Sequence, residues 1–231
     1  VRHLKGKNIA LVVAFEQPWA LAFLLKMAQL NLKNTTVLVF DNSLKLEKRL
    51  EIEAVCKQYA APYLSLPKNA TRHVNRSHGM AMSWIYDHVV RVIKPALFAY
   101  LDHDLIPIKP IDFAERLASH QQKLYGLLTA SNKKMPYWQL WAGYCIYDYA
   151  QFADKKLNFL YDFSRGIDTG GRNWRAIHRQ YDKNTLQFAY NAQINMRLPH
   201  TEEEKSVQVI DDCWFHIGSI SYNNNFAAKA A

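Results

Sequence analysis

Glycine, cysteine and long apolar runs are all scarce in this chain. Of its 231 residues only 8 are Gly and 3 are Cys, and the longest apolar runs, Ile9 to Phe15 and Trp19 to Leu25, are seven residues each. A membrane-spanning helix needs about 20 such residues, so none is expected. Cys56, Cys145 and Cys213 are odd in number, widely spaced and without a C-x-x-C pair. That pattern argues for three buried thiols in a reducing, cytoplasmic compartment rather than a disulfide framework. The N-terminus, Val1-Arg2-His3-Leu4-Lys5, shows no signal core with a small-residue cleavage site, and the N-x-S/T triplets at Asn34, Asn69 and Asn75 are read as chance.

No basic tail is present either. The excess of Lys+Arg 29 over Asp+Glu 20, a net charge of +9, is spread evenly along the chain. A dedicated nucleic-acid arm is therefore not expected, whereas attraction to phosphates or to an anionic membrane face is. Two nucleotide signatures are missing: a G-x-x-x-x-G-K-S/T loop, and a G-x-G-x-x-G after the first strand, where the chain instead reads Ala14-Phe15-Glu16-Gln17-Pro18. Any phosphate must then be met by something other than a glycine cradle, and a divalent cation held by carboxylates is the natural substitute.

What is present is an ordinary globular composition, 49% hydrophobic and 21% charged, with no linker or repeat, and it reads as a single domain over residues 1–231. The apolar run Asn8 to Phe15 predicts a strand buried on both faces. Pro18 followed by Ala20, Phe23, Leu24, Met27 and Ala28 at helical spacing predicts a helix. Strands at Thr35 to Phe40 and Tyr63 to Leu66 flank a second helix marked by Leu46, Leu50 and Ala54. A third helix carries Ala81, Trp84, Ile85, Val89 and Val92 on one stripe and ends at Pro95, before a strand at Ala96 to Leu101. This alternation predicts an α/β fold, a Rossmann-like open and mainly parallel sheet flanked by helices, with ligands at the carboxyl ends of its strands. Beyond residue 120 the pattern gives a strand at Lys123 to Ala130, an aromatic stretch from Tyr137 to Tyr149, a helix near Asn173 to Tyr181, a strand near Val207 to Ile210, and a frayed tail from Asn223.

The chemistry-bearing segment is Asp102-His103-Asp104. With twelve Asp in the chain, chance gives about 0.6 D-x-D matches, so position decides its value. Both carboxylates leave the end of an apolar strand, and two like charges placed together favour a bridging cation. A turn in which they cap backbone amides is the alternative.

Several segments, in order, resemble the GT-A type glycosyltransferases that use nucleotide-diphosphate sugars, particularly the bacterial family 2-like members. They are Val12-Val13-Ala14-Phe15, Phe40-Asp41-Asn42-Ser43, Asn75-Arg76-Ser77-His78-Gly79, Tyr100-Leu101-Asp102-His103-Asp104, Trp141-Ala142-Gly143 and Phe215-His216-Ile217-Gly218. The resemblance implies a metal-dependent transferase of the hexosyltransferase class. A donor-binding half at about residues 1–104 would be followed by an acceptor and catalytic half at about 105–220. Asp104 would bind the metal, with Asp102 on the metal or the donor's ribose, and His216 would be a late third ligand. Carboxylates with imidazole suit Mn²⁺ better than Mg²⁺. His103 would face away from the metal.

Asp41 would hold the base or ribose beside Phe15 and Glu16, although Asp41 and Asn42 also suit the start of a helix near Leu44. Arg76 would meet the diphosphate, and Trp141 and Gly143 would line the donor site. Asp168 is the candidate base for the acceptor hydroxyl, with Asp148, Asp211 and Asp212 as substitutes and a helix cap as its plain alternative. The six aromatics between Tyr137 and Tyr149 offer faces for a glycan or lipid-linked acceptor, with core packing the fate of at least half. Arg172, Arg175 and Arg179 would share a helix face and could meet phosphates or anionic lipid, which allows a peripheral position at an inner membrane face. Competing readings are a sugar nucleotidyltransferase, which needs a glycine-rich loop that residues 14 to 20 lack, an inactive sugar-nucleotide-binding protein of the same fold, and a paired-carboxylate glycoside hydrolase.

Overall fold

The computed structural model describes residues 2–69, 71, 73–133, 135–197, 204–218 and 220; the tail expected from Asn223 lies outside them. In chain order the strands are β1 (Asn8–Ala14), β2 (Leu32–Lys33), β3 (Thr35–Asp41), β4 (Tyr63–Ser65), β5 (Leu97–Asp102), β6 (Leu105–Pro107), β7 (Ile111–Asp112), β8 (Leu124–Ala130), β9 (Trp138–Asp148), β10 (Asn191–Arg197), β11 (Glu204–Ile210) and β12 (Trp214–His216). The helices are α1 (Pro18–Asn31), α2 (Leu46–Gln58), α3 (Val74–Ile85), α4 (Arg91–Ile93), α5 (Phe113–Ser119) and α6 (Tyr149–Phe152).

The central sheet runs β4-β3-β1-β5-β9-β8. Its first four strands are parallel, whereas β9 and β8 are antiparallel additions. The expected α/β fold, a mainly parallel sheet flanked by helices, is thus present. Side chains alternate faces along a strand, and β1 divides accordingly. Ala10, Val12 and Ala14 join one core with Ala20, Leu21 and Leu24 of α1, while Ile9, Leu11 and Val13 join a second core with Ala81, Met82 and Ile85 of α3. A second, antiparallel sheet, β10-β11-β12-β6, is absent from the sequence reading except for part of β11. Its three-residue strands β6 and β12 are too short to show alternation.

Three expectations are corrected. The α3 stripe shifts phase: a π turn over Tyr86–Val90 inserts one residue, so Val90 and Ile93 are fully buried, Val89 packs on the same core but is only partly covered, and Val92 is 67% exposed. Helix α2 is present, but Ile52 and Cys56 form its inner face while Leu46 and Leu50 face solvent. Residues 173 to 181 form no α-helix; two 3₁₀ turns, Gly171–Asn173 and His178–Gln180, stand there. Trp174, Ile177 and His178 pack into the core at i, i+3 and i+4, the spacing of a helix face, so the apolar pattern alone does not separate these turns from a helix. The three cysteines are free and buried as expected. Trp138, Tyr144 and Tyr147 of the aromatic stretch are core residues on β9. No helix among the described residues is long and apolar enough to cross a membrane.

Candidate active site

The parallel strands end side by side. Register pairs Val13 of β1 with Asp102 of β5 and Ala14 with Asp41 of β3, which brings all three chain ends to the edge where α/β sheets bind ligands. A cavity of about 430 Å³ opens there, walled by Phe15, Asn42 and Leu44 on one side, Ser77 and His78 of α3 beneath, and Asp102, His103, Asp104, Trp141 and His216 on the other. Asp168 and Thr169 close its rim. This volume lies within the range of small-molecule sites, about 300–1,000 Å³.

The two sheets meet at the acidic segment. Strand β5 ends in Asp102, the chain turns through His103 and Asp104, and β6 begins at Leu105, whose register partner in β12 is His216. A residue 112 positions after Asp104 is thereby set beside it. Ligand atoms of Asp102, Asp104 and His216 all lie within 4.8 Å of one another, and His216 Nε2 is 3.7 Å from Asp104 Oδ1. Asp104 is fixed from behind: the Gly218 N–H donates to its Oδ2 at 2.9 Å and the Ile217 N–H to its carbonyl at 3.2 Å. Gly218 has φ +76, in the left-handed region that glycine enters without cost. His216 is fixed from β11, where Gln208 Oε1 sits 2.6 Å from Nδ1. A carbonyl oxygen only accepts, so in the neutral imidazole Nδ1 carries the hydrogen and Nε2 presents its lone pair toward the aspartates.

Desolvation pushes the Asp102 carboxyl up to about 6, with the Asp104 charge adding to it. Two carboxylates and an imidazole nitrogen converging this closely, at such a cost to Asp102, form a donor set that fits a divalent cation. Gly143 makes room for them. A Cβ there would fall 2.5 Å from Asp102 Oδ2 and against the Trp141 indole, whose ring packs on His216 with centroids 4.7 Å apart.

Other sequence-selected residues fall in different places. Phe15, Trp141 and Asp168 line the cavity. Asp168 is exposed, and the Asn75 side-chain amide donates to its Oδ1 at 2.6 Å. Its side chain caps no helix in the hydrogen-bond pattern; the Gly171 N–H goes to its carbonyl instead. Asp41 is fully buried beneath the wall, accepting from the Ser43 N–H at 2.8 Å and the Tyr63 hydroxyl at 3.0 Å, and Asn42, itself buried, lines the cavity in its place. Glu16, at φ +58, is turned back onto the α2 entry, where its Oε1 accepts from the Leu44 and Lys45 N–H groups at 2.8 and 3.0 Å. It satisfies the helix start in place of Lys45, which offers no side-chain cap. Arg76 is exposed and outside the cavity wall. His103 lines the cavity without joining the cluster of Asp102, Asp104 and His216, and its buried Nε2 has no hydrogen-bond partner among the described residues. Asp148 is paired with Lys123, and Asp211 accepts from the Tyr125 hydroxyl, both away from the cavity.

Two residues with no role assigned from sequence complete the site. His78, one turn into α3, holds Nε2 3.9 Å from Asp102 Oδ1. Burial pulls its pKa down to about 4 against the upward pull of Asp168 and Asp104, so the ring enters the cavity neutral at pH 7. Gln208 owes its place to the β11 to β12 register. The stripe of α3 pointed to its inner face without separating His78 from packing residues, and no sequence signal marked Gln208.

No family model and no curated protein matches the chain. Among solved structures it is similar to TarS of S. aureus in complex with UDP (TM-score 0.46, 12% identity, covering 66% of this chain and 50% of that one). It is also similar to the mannosyltransferase Ktr4p of S. cerevisiae (0.44, 10%, 65% and 58%). A third is the mannosyltransferase PcManGT of Pyrobaculum calidifontis in complex with GDP-Man and Mn²⁺ (0.41, 8%, 64% and 46%). The chain thus spans about half the length of these structures.

Proposed function

We propose that this chain is a metal-dependent glycosyltransferase that moves a hexosyl group from a nucleoside-diphosphate sugar to an acceptor hydroxyl on a glycan or lipid-linked molecule. The observation that carries the reading is the convergence of Asp102, Asp104 and His216 within 4.8 Å at the wall of a cavity whose rim holds Asp168. Residues 1–104 supply the donor side. Phe15, Val13 and Leu44 give an apolar slot for a nucleobase, and Asn42 and Ser77 give polar atoms for its edge or the ribose. Asp102, Asp104 and His216 would hold the divalent cation, with Mn²⁺ the first choice for this donor set.

When bound, that cation supplies Lewis-acid neutralisation of the departing diphosphate. Residues 105–220 supply the acceptor side. Asp168 takes the proton of the acceptor hydroxyl as its oxygen attacks the anomeric carbon, the Asn75 amide fixing the carboxylate for that transfer. Neutral His78 adds no positive charge beside the aspartates. A net charge of +9 with no spanning helix among the described residues supports work at an anionic inner membrane face.

The test is a panel of sugar nucleotides incubated with the protein, with and without Mn²⁺, and assayed for release of nucleoside diphosphate. Metal-dependent release from at least one donor, abolished in Asp104→Ala, is expected. No release from any donor, or release indifferent to that substitution, contradicts the reading.

A further inference from the structure

A second recess is formed by the segment that leads into Asp168 and Thr169 and by the turns that follow it. It encloses about 570 Å³ and is lined by Tyr161, Phe163, Arg165, Arg172 and Arg175 together with Asp162. Its charge is lopsided. The Asp162 carboxylate is taken by Arg165, while the guanidiniums of Arg172 and Arg175 are exposed and meet no carboxylate among the described residues. The chain curls through one turn here, the Trp174 N–H bonding to the Gly171 carbonyl and the Ile177 N–H to that of Asn173, so residues three apart come to one side. Arg179 is not among the lining residues. Over the recess stand two rings in contact, Tyr161 and Phe163, tilted by 38° with centroids 4.0 Å apart, and Phe163 is 61% exposed.

The two recesses are linked through neighbouring segments of the chain. The His73 ring packs against Tyr161 and Phe163 at 5.0 and 6.0 Å, and the next two residues, Val74 and Asn75, line the first cavity. The segment carrying Tyr161 to Arg165 continues into Asp168 and Thr169 at the cavity rim. Two unpaired guanidiniums in a concave site are the donors that phosphate oxygens match best, because each fork gives two parallel N–H bonds. Exposed aromatic faces beside them suit the apolar face of a sugar ring or a chain that follows the phosphate.

We propose that this recess is an acceptor subsite for a phosphate ester, held by Arg172 and Arg175, with the acceptor chain crossing Tyr161 and Phe163 toward Asp168. The term acceptor rests on the transferase reading above; the phosphate site itself does not. A phosphate ester can reach the recess on a soluble glycan or on a lipid headgroup, and the experiment separates these sources.

The soluble arm titrates glycerol phosphate, with glycerol as the neutral control, into the full chain while following the arginine Nε–H resonances by NMR. The membrane arm sediments the protein with phosphatidylglycerol-containing vesicles against vesicles of phosphatidylcholine alone. Both arms are repeated with R172Q/R175Q and with R172K/R175K, whose melting temperatures check folding. Saturable binding of glycerol phosphate but not glycerol, weakened about tenfold or more in the Gln pair and partly restored in the Lys pair, is expected. Arginine-dependent binding in the vesicle arm alone upholds the phosphate site and assigns its source to lipid. Binding in neither arm, or binding unchanged in the Gln pair, overturns the proposal. A parallel titration with UDP and GDP in the presence of Mn²⁺ keeps the two readings apart. Nucleotide binding with no phosphate binding defeats this inference alone, and arginine-dependent phosphate binding without nucleotide binding defeats the transferase reading alone.

Discussion

Gln208 and His216 face each other as a register pair between β11 and β12, with Gln208 Oε1 2.6 Å from His216 Nδ1. The turn between β11 and β12 brings these two residues, eight apart in sequence, face to face, and one hydrogen bond fixes both the ring orientation and the nitrogen left for the aspartates. Partners of this kind typically govern metal affinity by about 10- to 100-fold. Gln208→Ala is expected to weaken Mn²⁺ binding by about that factor. Calorimetric titration of the two proteins checks it, and equal affinities would show that the hydrogen bond does not tune the site.

Asp168 is placed to act on the acceptor and not on the cation. Replacement by Asn keeps its size and its contact with Asn75 but removes the base, so kcat should fall about 10²- to 10⁴-fold while the donor's dissociation constant stays within error. A loss of donor affinity equal to the loss of turnover would move Asp168 to the donor side.

Gly143 allows β9 to pass close to Asp102 and the Trp141 indole. An added methyl must displace one of them, and overpacking of this kind costs about 1–3 kcal/mol. Gly143→Ala is expected to lower the denaturant midpoint and to weaken Mn²⁺ binding together. An unchanged midpoint with unchanged affinity would mean that the strand has room to give.

His178 is buried against Trp138, its Nδ1 without a hydrogen-bond partner among the described residues, and burial pulls its pKa from 6.5 down to about 3. Between these values the unfolded chain binds a proton that the folded chain refuses, so this residue's contribution is complete above pH 6.5 and drains away as pH falls toward 3. From pH 7 to 5 the loss is about 2 kcal/mol. Asp102, pushed up to about 6, acts in the opposite direction, so the informative comparison is between wild type and His178→Leu at each pH. The variant should lose less stability than wild type over that interval in thermal melts, and parallel pH curves for the two would contradict the assignment.

Much of the layered architecture was legible because a strand buried on both faces must be apolar throughout, as Ile9 to Ala14 are. The acidic pair was legible for a related reason: Asp102 interrupts such a run where β5 ends. His216 came from the resemblance, since a lone histidine between Phe215 and Ile217 has no periodic signature. Gln208 was not legible, because its role depends on how β11 pairs with a three-residue strand. Asp41 and Glu16 stand beside the cavity in sequence order, yet their carboxylates satisfy backbone N–H groups that the turn after β3 and the start of α2 would otherwise leave bare. Sequence order reports neighbourhood; it does not report which acid the backbone has already claimed. Arg172, Arg175 and Arg179 were visible as a basic set, but the irregular turn that brings only the first two beside two aromatic rings was hidden by the expectation of a helix.

The central claim is that Asp102, Asp104 and His216 hold a divalent cation. Its most direct measurement is the Mn²⁺ electron paramagnetic resonance signal of the free ion, titrated against wild type and against Asp104→Ala, each checked for folding by circular dichroism. The account predicts one saturable site per chain in wild type, tightened by UDP or GDP, and none in the variant. Free Mn²⁺ that stays undiminished by wild type, with or without nucleoside diphosphate, or that is bound equally by both proteins, would contradict it.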